Sequence, residues 1–456
     1  MAGCGRKSAQ GAKPLVPAAA RGRTVKVTPA TFQAAVTAAQ PGDTLVLADG
    51  EYSSGQLPAG TLVLQSTAPG GYVQAARALG GGHRIRCSGV PGNPITIRAE
   101  GRGATLKGTL DISGRAYLII DGLRMTDGAM YGLHAQGVGH VEVRNCVVYD
   151  TPGHWSMYFD NARDCIVENN EVYGGAVQGI CVFGNTRDIT IRGNRVHDCA
   201  GCGMYFDAYT NPGKRLSNIL VEGNVIAHTG ASGGAALNIS NMVDSTFRNN
   251  LLYKNEAGGI CFYQDDPTAS DKRLPPQGLI QKVAAFFHDR PDYCARDEVI
   301  SNTVYFEPNQ GLWCLRVSDD APDFFVHNNV FVGGRCGVVS IGPKAFRGLS
   351  MDDNLTAAHR DQLVFGDSFT EDRRETFSYT LDQWHAKGLD RNSKIGVDAL
   401  FVSIPKDDYH LSPMSPAIDA GADLGKKCST DLDGAKRPQG KGYDCGAYEY
   451  TPKGRE

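Results

Sequence analysis

The sequence lacks long apolar runs and any strong excess of one charge. Nowhere do its 456 residues form an apolar stretch of about 18, the length that a membrane-spanning helix requires. The formal net charge is only −3, which argues against a nucleic-acid-binding protein. Hydrophobic residues make up 41% of the chain, so disorder is also excluded. What the chain has instead is 56 glycines, which indicate many turns between short strands.

A repeat with an asparagine at its centre organises the middle of the chain. Its clearest copies span residues 141–149, 165–173, 189–197, 219–227 and 245–253. The marked positions lie 24 to 30 residues apart, except for one step of 52, and are Cys146, Asn170, Asn194, Asn224, Asn250, Asn302, Asn329 and Asn354. The step of 52 is either one unit with a long insertion or two units of which one is degenerate.

Each unit alternates apolar and polar residues, the period of a strand, and then turns at the asparagine. A solenoid of about 25 residues per coil, with stacked asparagines bonding one coil to the next, explains this pattern. Leucine-rich repeats have a similar length, but their leucine framework is missing. We therefore predict an all-β, right-handed parallel β-helix over residues 25–354.

Both ends of such a solenoid require caps. The segment 31–39 reads as an amphipathic capping helix, and 41–47 reads as the first strand. Residues 355–456 lose the period and are predicted to form an irregular C-terminal cap. Cys428 and Cys445 flank a loop-rich segment there and are the predicted disulfide; most other cysteines are expected to fill the interior.

The first residues, Met-Ala-Gly-Cys-Gly, are similar to the end of a bacterial lipoprotein signal. This similarity implies that Cys4 carries a lipid, that residues 1–24 form a tether, and that the protein is secreted or lies at the cell surface or in the periplasm. The lipid would be its only contact with a membrane. The alternative is a cytosolic protein in which these residues occur by chance.

The segments 41–52, 92–108 and 117–128, with the closing 415–450, resemble secreted bacterial pectate-lyase-like β-helix proteins. These include the chondroitinase B and alginate lyase family and several glycosidase families. The resemblance implies a carbohydrate substrate, but it does not fix the reaction, since one fold carries many different sites.

Two outward ladders follow from aligning the strand in the second half of each coil. One contains His134, Tyr158, Cys181, Tyr205, Asn238 and Cys261, and the next contains Gln136, Asp160, Phe183, Asp207, Ser240 and Tyr263. An exposed sheet face without a function would be expected to carry more Lys, Glu, Thr and Ser. This composition therefore predicts an exposed groove that binds sugars; Asn238, Ser240, Tyr263, Trp313 and Arg316 are the predicted substrate-binding residues.

Asp160 and Asp207 are the first candidates for catalysis. They lie two coils apart, roughly 9 to 10 Å, close to the separation of the carboxyl groups in inverting glycosidases. Tyr158, Tyr205 and His134 are the candidates for proton transfer. The competing interpretation is that each aspartate only caps the turn that follows it.

The insertion 264–297 is predicted to form a groove wall, since long loops in solenoids often do so. Its Asp265 and Asp266 are candidate ligands for Ca²⁺, although no cofactor is required by the pattern. A lyase of the chondroitinase B kind is disfavoured, because Asn241, Ala235, Leu237 and Tyr263 stand where its lysine, acidic ligands and arginine are expected.

The first hypothesis is therefore a monomeric glycoside hydrolase that acts on a polysaccharide or oligosaccharide through Asp160 and Asp207. A polysaccharide lyase or uronan C5-epimerase that uses tyrosine and histidine is the alternative among enzymes. The third hypothesis is a non-catalytic glycan-binding or structural β-helix.

Overall fold

The computed structural model describes residues 22–53, 82–208, 215–263, 294–318, 321–359, 368–370, 373–375 and 379–452. The predicted β-helix is confirmed. Three parallel sheets, named sheets 1, 2 and 3 in the order in which one coil visits them, run along the solenoid. Most coils contribute one strand to each sheet, and these short strands are separated by turns, many of them at Asn or Gly.

The described part of sheet 1 has 13 strands: β1 Thr24–Val27, β2 Thr44–Leu47, β5 Ile95–Ala99, β8 Ala116–Asp121, β11 Gly139–Arg144, β14 Arg163–Glu168, β17 Arg187–Arg192, β20 Leu216–Glu222, β23 Met242–Val243, β24 Thr246–Arg248, β27 Glu298–Ile300, β30 Phe325–His327 and β33 Ser350–Asp352.

Twelve described strands form sheet 2: β3 Gly50–Ser53, β6 Ala104–Lys107, β9 Arg124–Thr126, β12 Val147–Tyr149, β15 Glu171–Tyr173, β18 Arg195–His197, β21 Val225–Ala227, β25 Leu251–Tyr253, β28 Thr303–Tyr305, β31 Val330–Val332, β34 Leu355–Ala357 and β37 Lys394–Ile395.

Sheet 3 has 10 described strands: β4 Gly82–Arg84, β7 Thr109–Asp111, β10 Tyr131–Gln136, β13 Trp155–Asp160, β16 Gln178–Phe183, β19 Met204–Asp207, β22 Ala235–Ser240, β26 Gly258–Tyr263, β29 Leu315–Val317 and β32 Val339–Ile341. Two antiparallel pairs complete the strands, β35 Ser368–Thr370 with β36 Arg373–Glu375 and β38 Phe401–Ser403 with β39 Asp408–Leu411. The helices are α1 Phe32–Ala38 and α2 Leu381–Ala386, with 3₁₀ turns at Pro343–Phe346, Ile404–Lys406 and Gly425–Lys427.

The predicted asparagine ladder holds the turn between sheets 1 and 2. The amide nitrogen of Asn224 donates to the carbonyl of Ile191 at 2.9 Å and to Oδ1 of Asn250 at 3.0 Å. The same pattern runs from Asn170 to Asn354. Asn250 bonds directly to Asn302, 52 residues later, so this step is one coil with an insertion.

The capping helix α1 forms as predicted and buries Phe32 and Val36 at the start of the core. The first strand, however, is β1 rather than the segment 41–47, and it pairs in parallel with β2. An Arg23–Asp43 ion pair of 2.6 Å fastens this early strand to the first coil. The alternation of Thr24–Val27 is too short to stand out in the sequence.

The C-terminal region differs from the predicted cap in two ways. The coil continues beyond residue 354, since β34 pairs with β31 and β37 pairs with β34. Helix α2 then places Trp384 against the end of the core. Residues from Ala399 onward turn back along the flank and bury the outer face of sheet 2. There Tyr409 packs against Tyr253 and Tyr305, and Tyr448 belongs to the same buried cluster.

The disulfide predicted between Cys428 and Cys445 is not formed in the structure. Both are free thiols: Cys428 Sγ lies 3.3 Å from Asn249 Oδ1, and Cys445 Sγ lies 3.1 Å from the carbonyl oxygen of Asp353. Of the twelve cysteines in the described residues, all but Cys336 are buried, which agrees with a role as small interior side chains. No helix of the described part is long and apolar enough to cross a membrane.

Candidate functional site

The strand register places the two predicted ladders side by side on the outer face of sheet 3. His134 pairs with Tyr158, Tyr158 with Cys181, and Cys181 with Tyr205. The ladder continues through Asn238 and Cys261 to Arg316. The second ladder runs through Gln136, Asp160, Phe183 and Asp207. The predicted register is therefore correct.

The sequence predicts that these ladders form an exposed groove. In the structure, many of their side chains are buried instead. Tyr158, Phe183 and Tyr205 pack with Cys181 and Cys202 into a small cluster of their own, and each is less than a tenth exposed. The rings of Tyr158 and Phe183 lie 5.2 Å apart, as do those of Phe183 and Tyr205. Stacking of coils brings these rings into contact, and that contact shields most of their area.

Two aromatic residues that the sequence did not suggest extend this cluster. Tyr131 and Trp155 occupy paired positions at the start of β10 and β13, and their rings stack 5.2 Å apart at an angle of 12°. Tyr131 also stacks on His134 at 4.3 Å, and Trp155 lies 5.1 Å from Tyr158. We call Tyr131, Trp155, Tyr158 and His134 the aromatic platform.

Simple alternation would place Tyr131 and Trp155 inside the solenoid, because they share the parity of the inward Leu133 and Met157. The next residue in each strand, Gly132 or Ser156, already points inward. A Cβ on Gly132 would lie 2.5 Å from Cγ1 of the buried Val148. This corner breaks the alternation, and only a small residue fits there. The small residue repeated at the second position of these strands was the available signal in the sequence.

Trp155 carries an unsatisfied donor. Its indole Nε1 is buried and has no hydrogen-bond acceptor among the described residues. A buried unpaired N–H of this kind costs about 1–3 kcal/mol. Beside it, burial lowers the pKa of His154, whose ring lies 4.4 Å from that of Trp155.

His134 is held by two residues that the sequence analysis also missed, Asp111 and Ser113. Its Nδ1 lies 3.1 Å from Ser113 Oγ and 3.4 Å from Asp111 Oδ1. Both partners are on the Nδ1 side, and Nε2 has no partner in the described part of the chain. Burial would raise the pKa of Asp111, but the hydrogen bonds from His134 and Ser113 outweigh it and lower the pKa. An ionised Asp111 can therefore orient the His134 ring.

Tyr158 completes this group, with its ring centroid 5.7 Å from that of His134. Burial raises the pKa of Tyr158 strongly, and the nearby charge of Asp160 raises it further. Burial and the same carboxylate raise the pKa of Tyr131 to about 12. Both phenols are thus proton donors at neutral pH.

The aspartates are bound by neighbouring side chains. Asp160 Oδ2 accepts a bond of 2.8 Å from Gln136, and its Oδ1 accepts one of 2.8 Å from Asn161. Asp207 Oδ2 accepts the Tyr205 hydroxyl at 2.9 Å. Both donors to Asp160 within the described residues are side-chain amides, so no bond from a turn backbone N–H to this carboxylate is seen there.

The remaining predicted residues lie further along sheet 3. Arg316 sits 5.3 Å over the ring of Tyr263, and Asn238 is half-buried between Tyr205 and Cys261. Ser240 and Trp313 are almost fully buried.

Asp265 and Asp266, like Cys4, lie outside the described residues. Within the described residues, no group of three or more His, Cys, Asp or Glu side chains could hold a metal ion.

The fold and this outer face define a right-handed parallel β-helix with an aromatic, acid–base face on one sheet. The family described as right-handed β-helix region matches residues 105–213 and 185–269. The chain is similar to the crystal structure of pectate lyase Pel9A, with 15% identity over 96% of this chain and 99% of that chain and a TM-score of 0.55.

Two further solved structures are less similar. The catalytic unit of the GH87 α-1,3-glucanase from Streptomyces thermodiastaticus strain HF3-3 has 13% identity over 78% of this chain and 64% of that chain, with a TM-score of 0.48. The alginate lyase from Paenibacillus sp. str. FPU-7 has 17% identity over 75% and 98%, with a TM-score of 0.41. No curated protein sequence gives a match. At these identities the similarity to Pel9A establishes the fold.

Proposed function

We propose that the protein is a carbohydrate-active enzyme that cleaves glycosidic bonds of a polysaccharide or oligosaccharide at the aromatic platform. The observation that carries this proposal is the stack of the partly exposed rings of Tyr131 and Trp155 beside His134, whose Nε2 has no partner among the described residues. Aromatic rings of this kind cover the apolar faces of sugar rings.

The reaction that this geometry supports best is elimination on a uronate, the lyase alternative of the sequence analysis. His134 Nε2 would take the proton beside the sugar carboxylate, and that C–H electron pair would form the new double bond. As the glycosidic C–O bond breaks, the Tyr158 hydroxyl would protonate the departing oxygen. Asp111 acts as a positioning residue for His134, and Arg84, whose Nε is 3.5 Å from Asp111, supplies positive charge at this end.

Hydrolysis by Asp160 and Asp207 is the second candidate. Its support is the register, which puts the two aspartates in one ladder with Phe183 between them, roughly 9 to 10 Å apart. In this reaction Asp160, held by the amides of Gln136 and Asn161, would act as the base and Asp207 as the acid.

A panel of acidic and neutral polysaccharides, each with and without Ca²⁺, tests these proposals. Elimination predicts an unsaturated product with ultraviolet absorbance, lost in His134→Gln. Hydrolysis predicts reducing ends without that absorbance, lost in Asp207→Asn. Retention of a glycan without turnover, unchanged in both variants, would contradict both reactions and favour a binding protein.

We also propose that the mature protein is a secreted or surface-attached lipoprotein with a lipid on Cys4. The support is the sequence around Cys4 alone. Mass spectrometry of the N-terminal peptide from the native source tests it, and an unmodified Cys4 would contradict it.

A further inference from the structure

A second concave site lies on the opposite flank from the aromatic platform, at the turn between sheets 1 and 2. This cavity of about 730 Å³ is lined by three arginines, Arg98, Arg102 and Arg124, together with polar and acidic side chains of the following coils. Its size is within the range of small-molecule sites. Arg98 and Arg102 are exposed, and Arg124 is half-buried.

A ladder of alternating charge explains why Arg98 has no acidic partner among the described residues. The register stacks Arg98, Asp121, Arg144, Glu168, Arg192, Glu222 and Arg248 on consecutive strands of sheet 1. Each carboxylate pairs with the arginine of the next coil, at 3.1, 2.6 and 2.7 Å. Four arginines alternate with three acids, so the first arginine, Arg98, is left over.

Arg124 also has no acidic partner among the described residues, because of its register on sheet 2. On sheet 2 its neighbour in the next coil is Val147, and Glu171 is one coil further on. Glu171 is already engaged by His197 at 3.3 Å and by Arg195 at 4.0 Å. The Arg124 guanidinium instead lies 4.8 Å over the ring of Tyr149. Arg102 lies in the turn between β5 and β6, and it has no acidic partner in the described part of the chain.

The lining also offers groups that bind hydroxyls. Asn145 and Asn169 are exposed in the lining, and Asp121 and Glu171 contribute carboxylate oxygens whose charge is balanced by their own cations. Guanidinium groups recognise carboxylates and sulfates through paired hydrogen bonds. A site that combines them with amides and carboxylates suits an anionic molecule with many hydroxyls.

We propose that this arginine cavity binds an acidic saccharide, with the carboxylate of a uronic acid unit on Arg98 and Arg124. It is separate from the aromatic platform and has no part in the reaction proposed there. It would hold an acidic chain on one flank of the solenoid independently of turnover.

Isothermal titration calorimetry with trigalacturonate tests this, with maltotriose as the neutral control and inorganic sulfate as the simple anion. We expect that Arg98→Gln/Arg124→Gln weakens one trigalacturonate site at least about ten-fold. Arg163→Gln, an exposed arginine at the other end of a sheet 1 strand, should leave that site unchanged. A single Arg102→Gln variant provides a second, less disruptive change, and thermal unfolding checks that all variants fold.

The proposal is overturned if wild type does not bind trigalacturonate at millimolar concentration, or if the double variant binds it as wild type does. Equal affinity for sulfate and trigalacturonate would also overturn it, since the cavity would then select any anion. Trp155→Ala separates this proposal from the enzymatic one. It should lose turnover and keep the arginine site, whereas Arg98→Gln/Arg124→Gln should keep turnover of a short substrate.

Discussion

At the scale of single residues, the aromatic platform depends on how His134 is oriented. Asp111 and Ser113 both contact Nδ1, and Nε2 has no partner among the described residues. The Tyr131 ring stacks on the imidazole at 4.3 Å. Orientation of this kind is what a proton-transfer group needs before substrate binds.

Replacement of His134 by Gln should reduce kcat about 10²- to 10⁴-fold and leave KM within a few-fold, because it removes proton transfer and keeps a polar side chain. Asp111→Asn should have a smaller effect on kcat alone. Steady-state kinetics on the substrate found in the panel measure both. If kcat survives in His134→Gln, this histidine is not the base.

Asp43 gives a pH-dependent contribution to stability. The Arg23 side chain, with backbone N–H groups of Arg23 and Gln40, lowers the pKa of Asp43 from 3.8 to about 2. A carboxyl with a depressed folded-state pKa stabilises the fold above its unfolded pKa, and this contribution is lost as the pH falls from about 4 to about 2.

Asp43→Asn should therefore reduce the free energy of unfolding at pH 7 by about 1–2 kcal/mol, since it removes a charge-assisted pair with an exposed arginine. The difference from wild type should shrink steadily below pH 4. Urea unfolding at several pH values measures it, and a difference that is constant with pH would contradict this account.

At the scale of elements, the asparagine ladder is the main polar structure of the coil. Asn224 is fully buried; it donates two bonds, and its Oδ1 accepts the backbone and side-chain nitrogens of Asn194 at 3.0 Å. Because each amide serves the coil before and the coil after, the ladder fixes coil spacing as well as the turn.

Asn224→Ala should destabilise the protein by about 2–4 kcal/mol, because it leaves a buried carbonyl and a buried N–H without partners. Asn185→Ala is a matched control at an exposed position, where the change should stay within about 0.5 kcal/mol. Denaturant unfolding measures both, and similar values for the two variants would mean that the ladder is not a stabilising element.

At the scale of the whole molecule, the C-terminal segment is joined to the flank of the solenoid by a buried ion pair. Arg437 and Glu449 are both fully buried, 2.8 Å apart. Arg437 also donates to the Gly446 carbonyl at 2.6 Å and to Asn249 Oδ1 at 3.3 Å. Asn249 belongs to the coil, so this pair ties the segment to it.

Arg437→Met should destabilise the fold by about 3–5 kcal/mol, since it leaves the buried Glu449 without its cation. The double variant Arg437→Met/Glu449→Met should be less destabilised than the sum of the two single variants. Thermal and denaturant unfolding provide the comparison, and strict additivity would show that the pair does not act as a unit.

The sequence by itself determined the coil. Alternating strands, the asparagine spacing and the capping helix follow from local periodicity, which short strands and tight turns impose on every unit. It also determined the ladders of His134, Tyr158, Asp160 and Asp207, because inward and outward positions alternate within a strand.

Only the tertiary structure decided which side chains meet. Trp155 and Tyr131 joined the platform because a small residue at the corner breaks the alternation, and Asp111 reached His134 from the preceding coil. The return of the C-terminal segment over sheet 2 and the unpaired arginines of the second cavity depend on contacts between distant residues. Local pattern fixes which way a residue faces, whereas stacking of coils fixes its neighbours.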